Sequence, residues 1–214
     1  MTHILVFGDS IVWGSWDSKG GWAERLRMEI NRNAIKAIRK NPESDYNAIY
    51  NLGIAGINIK NVLSRIRSET KARYYEGEEN VIIFAVGTND CAFLESKKNK
   101  NITSPDDFEN TVRELIDTAK KIASKTIFLG ITPVDEDKTN PLPWATDQYH
   151  KNDNVIQYNN ILKKICAERG AEFVDIYELF ISSGDIQLLE DGLHPNTRGH
   201  KLIFDVVRKF LKEK

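Results

Sequence analysis

Cysteine, proline and histidine are scarce in this chain, and long apolar runs are missing. The two cysteines among 214 residues, Cys91 and Cys166, lie far apart with no C-x-x-C spacing, so a disulfide framework or zinc knuckle has no basis and both thiols are expected to be reduced. The four histidines, His3, His150, His194 and His200, include no H-E-x-x-H pair, and no zinc site is expected. No run of about 18 apolar residues occurs, and only Ile4 to Phe7 precede Gly8-Asp9 at the amino end, too few for a signal-peptide core. No membrane span is therefore expected, and the expected compartment is the cytosol. Surplus charge is missing too. With 30 Lys and Arg against 31 Asp and Glu, the chain cannot neutralise a phosphate backbone, which argues against a nucleic-acid partner. Three nucleotide and nucleophile signatures are absent: G-x-G-x-x-G after the first strand, G-x-x-x-x-G-K-[ST], and G-x-S-x-G. Asp135-Glu136-Asp137 lacks the glycine and terminal glutamate of a calcium loop and reads as a solvated acidic loop.

The composition, 41% apolar and without repeats or Gly/Ser linkers, fits one domain over residues 1–214. Five β-branched runs read as buried strands: Ile4 to Phe7, Ala48 to Asn51, Val81 to Val86, Thr126 to Ile131 and Glu172 to Ile176. Between them, apolar residues recur with helical period, as at Ile59, Val62, Leu63 and Ile66, or at Leu202, Ile203, Val206, Val207 and Phe210. Ser104-Pro105 opens one such helix, and Gly170 closes another. Alternation of this kind predicts a three-layer α/β/α sandwich around a five-stranded parallel sheet. Trp22 falls on the same helical face as Leu26 and Ile30, while Trp13 or Trp16 is left for a pocket wall. Thr132 to Asn152 is the one long irregular stretch, and it is expected to form a wall or lid beside the site.

In an open parallel sheet, ligands bind outside the carboxyl ends of the strands. Those ends read Gly8-Asp9-Ser10, Asn51-Leu52-Gly53-Ile54-Ala55-Gly56 and Gly87-Thr88-Asn89-Asp90, and the loop before the last helix reads Asp191-Gly192-Leu193-His194-Pro195. Acyl transfer needs a hydroxyl, a base that accepts its proton, and a carboxylate that orients the base; Ser10, His194 and Asp191 are candidates for these roles. Oxyanion donors are sought in the backbone N–H groups of Ser10 and Gly56 and the side-chain amide of Asn89. Glycine suits position 56 because a Cβ would obstruct close approach to the substrate. The bland readings are a capping role for Ser10, local hydrogen bonding for Asp90, buried packing for Cys91, and surface positions for His194 and especially His200.

These blocks, in this order and across nearly the whole chain, resemble those of the SGNH (GDSL-type) hydrolase family. The resemblance implies a flavodoxin-like fold, Ser10 as nucleophile, Gly56 and Asn89 completing the oxyanion hole, His194 with Asp191 as the base pair, and no metal or organic cofactor. Ile11 stands where the leucine of the GDSL name would be, and Gly56 is preferred to Gly53 by its distance from Asn51. The expected activity is hydrolysis of a small-molecule carboxylic ester through an acyl-enzyme on Ser10, with a carbohydrate O-acetylesterase or thioesterase as the alternative. A non-catalytic small-ligand module or flavin carrier on the same architecture is the rival from another class. The sequence leaves the oligomeric state open.

Overall fold

Each of the five apolar runs forms a strand of one sheet. A computed structural model describes residues 1–98, 100–183 and 185–212. Its main sheet contains β1 (Thr2–Gly8), β2 (Ala48–Gly53), β3 (Glu79–Ala85), β4 (Lys125–Leu129) and β5 (Glu172–Val174), all parallel, in the order β2-β1-β3-β4-β5. This is the flavodoxin-like order, in which the chain reverses its direction of travel across the sheet between β1 and β3. Gly8 pairs in register with Gly53 on one side and Ala85 on the other, so the three following loops leave the sheet at the same level.

Period-2 alternation divides the strand residues between two cores. Leu5, Phe7, Ile82, Phe84 and Phe128 pack under α2 (Ile59–Lys71), α3 (Pro105–Ala119) and α4 (Asn152–Arg169). Ile4, Val6, Ile83, Ile127 and Leu129 pack under α1 (Gly21–Lys40) and α5 (Thr197–Lys212). Trp22 is fully buried in the second core beside Leu26, and Ile203 and Val207 bring α5 onto the same face. The caps follow the sequence pattern: Ser104 Oγ accepts the Asp107 N–H ahead of α3, and Gly170 ends α4 in the left-handed region.

Three features differ from expectation. The fourth strand stops at Leu129 because Asn159 of α4 acts as a substitute strand, accepting the Ile131 N–H at 2.7 Å and donating to the Ile131 carbonyl at 3.0 Å. The fifth stops at Val174, two residues short of the expected end, and Gly130 N–H donates to the Val174 carbonyl at 2.9 Å. The 132–152 stretch is ordered rather than irregular. It holds a short helix, Glu136–Thr139, and the strand Gln148–Tyr149, which joins Phe93–Leu94 and Lys100–Asn101 in a small antiparallel sheet. Its acidic turn is also not simply solvated: Asp135 is buried, its N–H donates to the Gly192 carbonyl at 2.8 Å, and its carboxylate pairs with Lys138 at 3.1 Å. That bond ties the stretch to the loop carrying His194.

Candidate active site

Ser10 opens a one-turn helix, Ser10–Trp13, immediately after β1. The Asp9 carboxylate caps it by accepting the Ile11 N–H at 2.9 Å, and Gly14 ends it with a left-handed φ. The turn lies directly on the end of β2, where Asn51 Nδ2 donates to the Val12 carbonyl at 2.9 Å. Gly53 is required at that contact, since a Cβ there would sit 2.3 Å from the Trp13 backbone nitrogen. Gly56 differs. It has φ +77 and no protein atom within 4 Å of a built Cβ, so what this chain asks of it is the left-handed turn rather than relief of crowding within the protein.

His194 and Asp191 lie on the loop before α5, closed by the Leu189–Pro195 bridge and by Glu190 N–H donating to the His194 carbonyl at 2.8 Å. Asp191 Oδ1 accepts the N–H groups of Leu193 (2.9 Å) and His194 (2.8 Å), and Oδ2 is 2.8 Å from His194 Nδ1. This assigns Nδ1 as the protonated nitrogen and leaves Nε2 as an acceptor, 2.9 Å from Ser10 Oγ. Partial burial pushes the Asp191 carboxyl up, but the bonds from the His194 ring and from both backbone N–H groups outweigh it and hold Asp191 well below the usual carboxylate range. It stays ionised opposite the imidazole.

Asn89 lies on the short helix after β3, and its Nδ2 donates to the Ile57 carbonyl at 2.9 Å, linking it to the turn that carries Gly56. One amide hydrogen is used there, and among the described residues the other has no partner. Asp90 bonds over longer range than expected: fully buried, it accepts the Ile59 N–H at 3.0 Å and the Thr103 hydroxyl at 2.6 Å, holding the start of α2 against the site. Burial, helped by the charge of Asp9, raises its pKa to about 6.

Asp9 is buried with Oδ2 unpaired. Burial raises its pKa to about 6 against the Ile11 N–H bond, the neighbouring His194 and the weak pull of Thr88. The folded state therefore binds this proton more tightly than the unfolded chain. Its stabilising effect is complete below about pH 4 and is lost as pH rises through about 6. At about 1.4 kcal/mol per unit, ionised Asp9 costs the fold on the order of 3 kcal/mol above pH 7. Asp9→Asn, which retains the capping oxygen, is expected to be more stable than the parent by that order at pH 8, with the two converging near pH 4. Urea denaturation at both values checks this, and a constant difference would contradict it. Asp9 also lines a cavity of about 20 Å³ with Trp22, Thr88 and Thr132. That space suits one water molecule and is too small for an acyl chain.

Two tryptophans flank the imidazole. Trp16 meets the His194 ring edge-on at 6.0 Å between centroids, and Trp144 stacks near it at 6.0 Å. Of the two left open by the sequence, Trp16 reaches the site. Trp144 lay within the stretch expected to form a wall, but nothing in its pattern singled it out. His200 is a correction: it is fully buried rather than superficial, accepts the Trp22 N–H on Nδ1 at 3.3 Å, and donates from Nε2 to the Ser15 carbonyl at 3.0 Å. Burial lowers its pKa. Cys91 and Cys166 are free and buried, with burial pushing Cys166 up to about 12 and Cys91 further still. Among the described residues, no group of three or more His, Cys, Asp or Glu side chains is arranged to hold a metal, and no helix is long and apolar enough to cross a membrane.

Residues 4–207 match the family described as GDSL-like Lipase/Acylhydrolase. The chain belongs to that family. This GDSL hydrolase is 26% identical over 224 residues to the GDSL esterase/lipase CPRD49 of Arabidopsis thaliana, covering 99% of this chain and 79% of the relative. Over 148 residues it is 25% identical to an isoamyl acetate-hydrolyzing esterase of Saccharomyces cerevisiae, covering 63% of this chain and 58% of that protein. The lipase/acylhydrolase of Enterococcus faecalis shares the fold, with a TM-score of 0.73 and 20% identity, covering 100% of this chain and 96% of the other. The GDSL protein is thus an ester-cleaving hydrolase.

Proposed function

We propose that this GDSL hydrolase cleaves small carboxylic esters through an acyl-enzyme on Ser10. The observation that carries the proposal is the continuous chain from Ser10 Oγ to His194 Nε2 (2.9 Å) and from His194 Nδ1 to Asp191 Oδ2 (2.8 Å). Ser10 Oγ attacks the ester carbonyl as its proton passes to Nε2, and ionised Asp191 stabilises the resulting imidazolium. The Ser10 and Gly56 N–H groups and Asn89 Nδ2 receive the developing oxyanion. His194 returns the proton to the departing alkoxide, which leaves as alcohol. Water, deprotonated by His194, then attacks the acyl carbon; the carboxylic acid departs and Ser10 regains its proton. The sequence of steps consumes one water and uses no cofactor.

A yeast relative named for an acetate ester supports a short acyl group. Exposed Trp16 and Trp144 favour a second reading in the same chemistry, an O-acetylated carbohydrate whose ring faces lie against the indoles. An intact Ser10, His194 and Asp191 set speaks against a binding module that does not turn over. The buried free thiols suit the reducing cytosol, and both cores share one sheet, which supports one hydrolase domain over residues 1–214.

A fluorophosphonate probe followed by peptide mapping is expected to place one adduct on Ser10. An adduct confined to another residue would overturn the assignment. A panel of acyl nitrophenyl esters of graded length against acetylated sugars separates the two substrate readings.

A further inference from the structure

We infer that Trp16 is a positioning residue for the Asp191–His194 pair, holding the carboxylate in place and restraining its pull on the imidazole proton. The inference rests on the proposed role of that pair. Trp16 Nε1–H donates to Asp191 Oδ2 at 2.5 Å, and this is the same oxygen that accepts from His194 Nδ1. Asp191 therefore has hydrogen bonds from two backbone N–H groups, an imidazole and an indole. Among the described residues, the indole is the one donor to Asp191 from outside its own loop, and it comes from the segment that follows Ser10.

Two further observations separate this from a chance surface contact. Trp16 is 60% exposed, so burial does not account for its place, yet its backbone is left-handed with φ +64, which is rare for a bulky side chain. Such a conformation persists only where its surroundings impose it, and the flanking residues do so. The Ser15 carbonyl accepts from buried His200 of α5. Asp17 is buried, receives Arg25 Nε and Nη2 at 2.9 Å each, and also accepts the Thr197 hydroxyl at 2.9 Å. Both neighbours of Trp16 are thus fixed to α1 and α5, and only the indole projects toward Asp191. This gives buried His200 a purpose: it anchors the strained turn.

A donor on Oδ2 spreads the carboxylate charge and weakens its hold on an imidazolium. Removing the donor strengthens that hold, so His194 keeps its second proton to higher pH. The other titratable groups near the pair are Asp9, His150, His200 and the Asp135–Lys138 ion pair beside Gly192, and the Trp16 indole donates to none of them but to Asp191.

The test replaces Trp16 by phenylalanine and, separately, by benzothienylalanine, which keeps the size and shape of indole with sulfur in place of N–H. The His194 ring is titrated by NMR and kcat/KM is followed against pH. In both variants the NMR midpoint and the acidic limb are expected to move upward by about half a unit, with about a fivefold fall in plateau kcat/KM, less than a buried hydrogen bond to a charged group contributes because Trp16 is solvent-exposed. A benzothienylalanine variant with the parental midpoint overturns the inference even if the phenylalanine variant folds poorly. The NMR midpoint is read without turnover, so its result is separate from that of the Ser10 labelling experiment.

Discussion

Ser10→Ala is expected to lower kcat on a short acetate ester by roughly 100,000- to 1,000,000-fold while leaving KM close to the parental value, because on the proposed mechanism it removes the nucleophile from a coupled serine–histidine pair and with it their joint contribution. The residual rate would come from the oxyanion donors and from binding, which the substitution leaves in place. The fold should be indifferent to the change: the Ser10 hydroxyl bonds to His194, and the turn is capped by Asp9 and closed by backbone bonds from Gly14 and Ser15 to the Ser10 carbonyl. Steady-state kinetics and a melting curve together check the result. A stable variant that keeps a tenth of the parental turnover would move the nucleophile elsewhere.

Asn89→Ala should cost roughly 100- to 1,000-fold in kcat, the usual effect of losing one preset donor to a tetrahedral oxyanion. The geometry makes a sharper comparison possible. Asn89 Nδ2 also donates to the Ile57 carbonyl, so truncation to alanine loosens the Gly56 turn as well as removing the donor. Asn89→Asp keeps the shape but has no N–H to offer either partner. Asn89→Gln retains an amide on a longer stem. If oxyanion donation dominates, alanine and aspartate fall together in kcat with KM little changed. If the asparagine only ties down the turn, KM rises instead and kcat holds. Turnover at saturating ester distinguishes these outcomes.

The sheet was legible because its strands are buried on both faces and therefore read as unbroken apolar runs, and the helices because their stripes repeat with a 3.6-residue period. Ser10, Gly56 and Asn89 were legible for a related reason: each follows a strand end, where an open α/β sheet presents its ligand-facing groups. His194 and Asp191 were legible as a local pair. The small sheet at Phe93–Leu94 was not, since two-residue strands carry no period. Nor was the early stop of β4, which depends on Asn159 folding back from a helix nearly thirty residues later. His200 was misread because it lies on the first turn of the last helix, between Gly199 and Lys201, whereas its environment comes from Trp22 and Ser15 across the fold. Trp16 could be suspected only as an aromatic near the serine; its bond to Asp191 spans 175 positions.

The hydrogen bond between Ser10 and His194 joins positions 184 residues apart, almost the full span of the chain. On the proposed mechanism, a growing polypeptide presents its nucleophile once β1 has emerged but acquires the matching base only 184 residues later, after all five strands of the sheet. Incomplete translation products and carboxyl-terminal truncations that remove the final loop are therefore inert toward esters, however well their early strands have collapsed. The order of the parts along the chain thus ties the onset of hydrolysis to the loop that follows the finished sheet, not to the sheet itself.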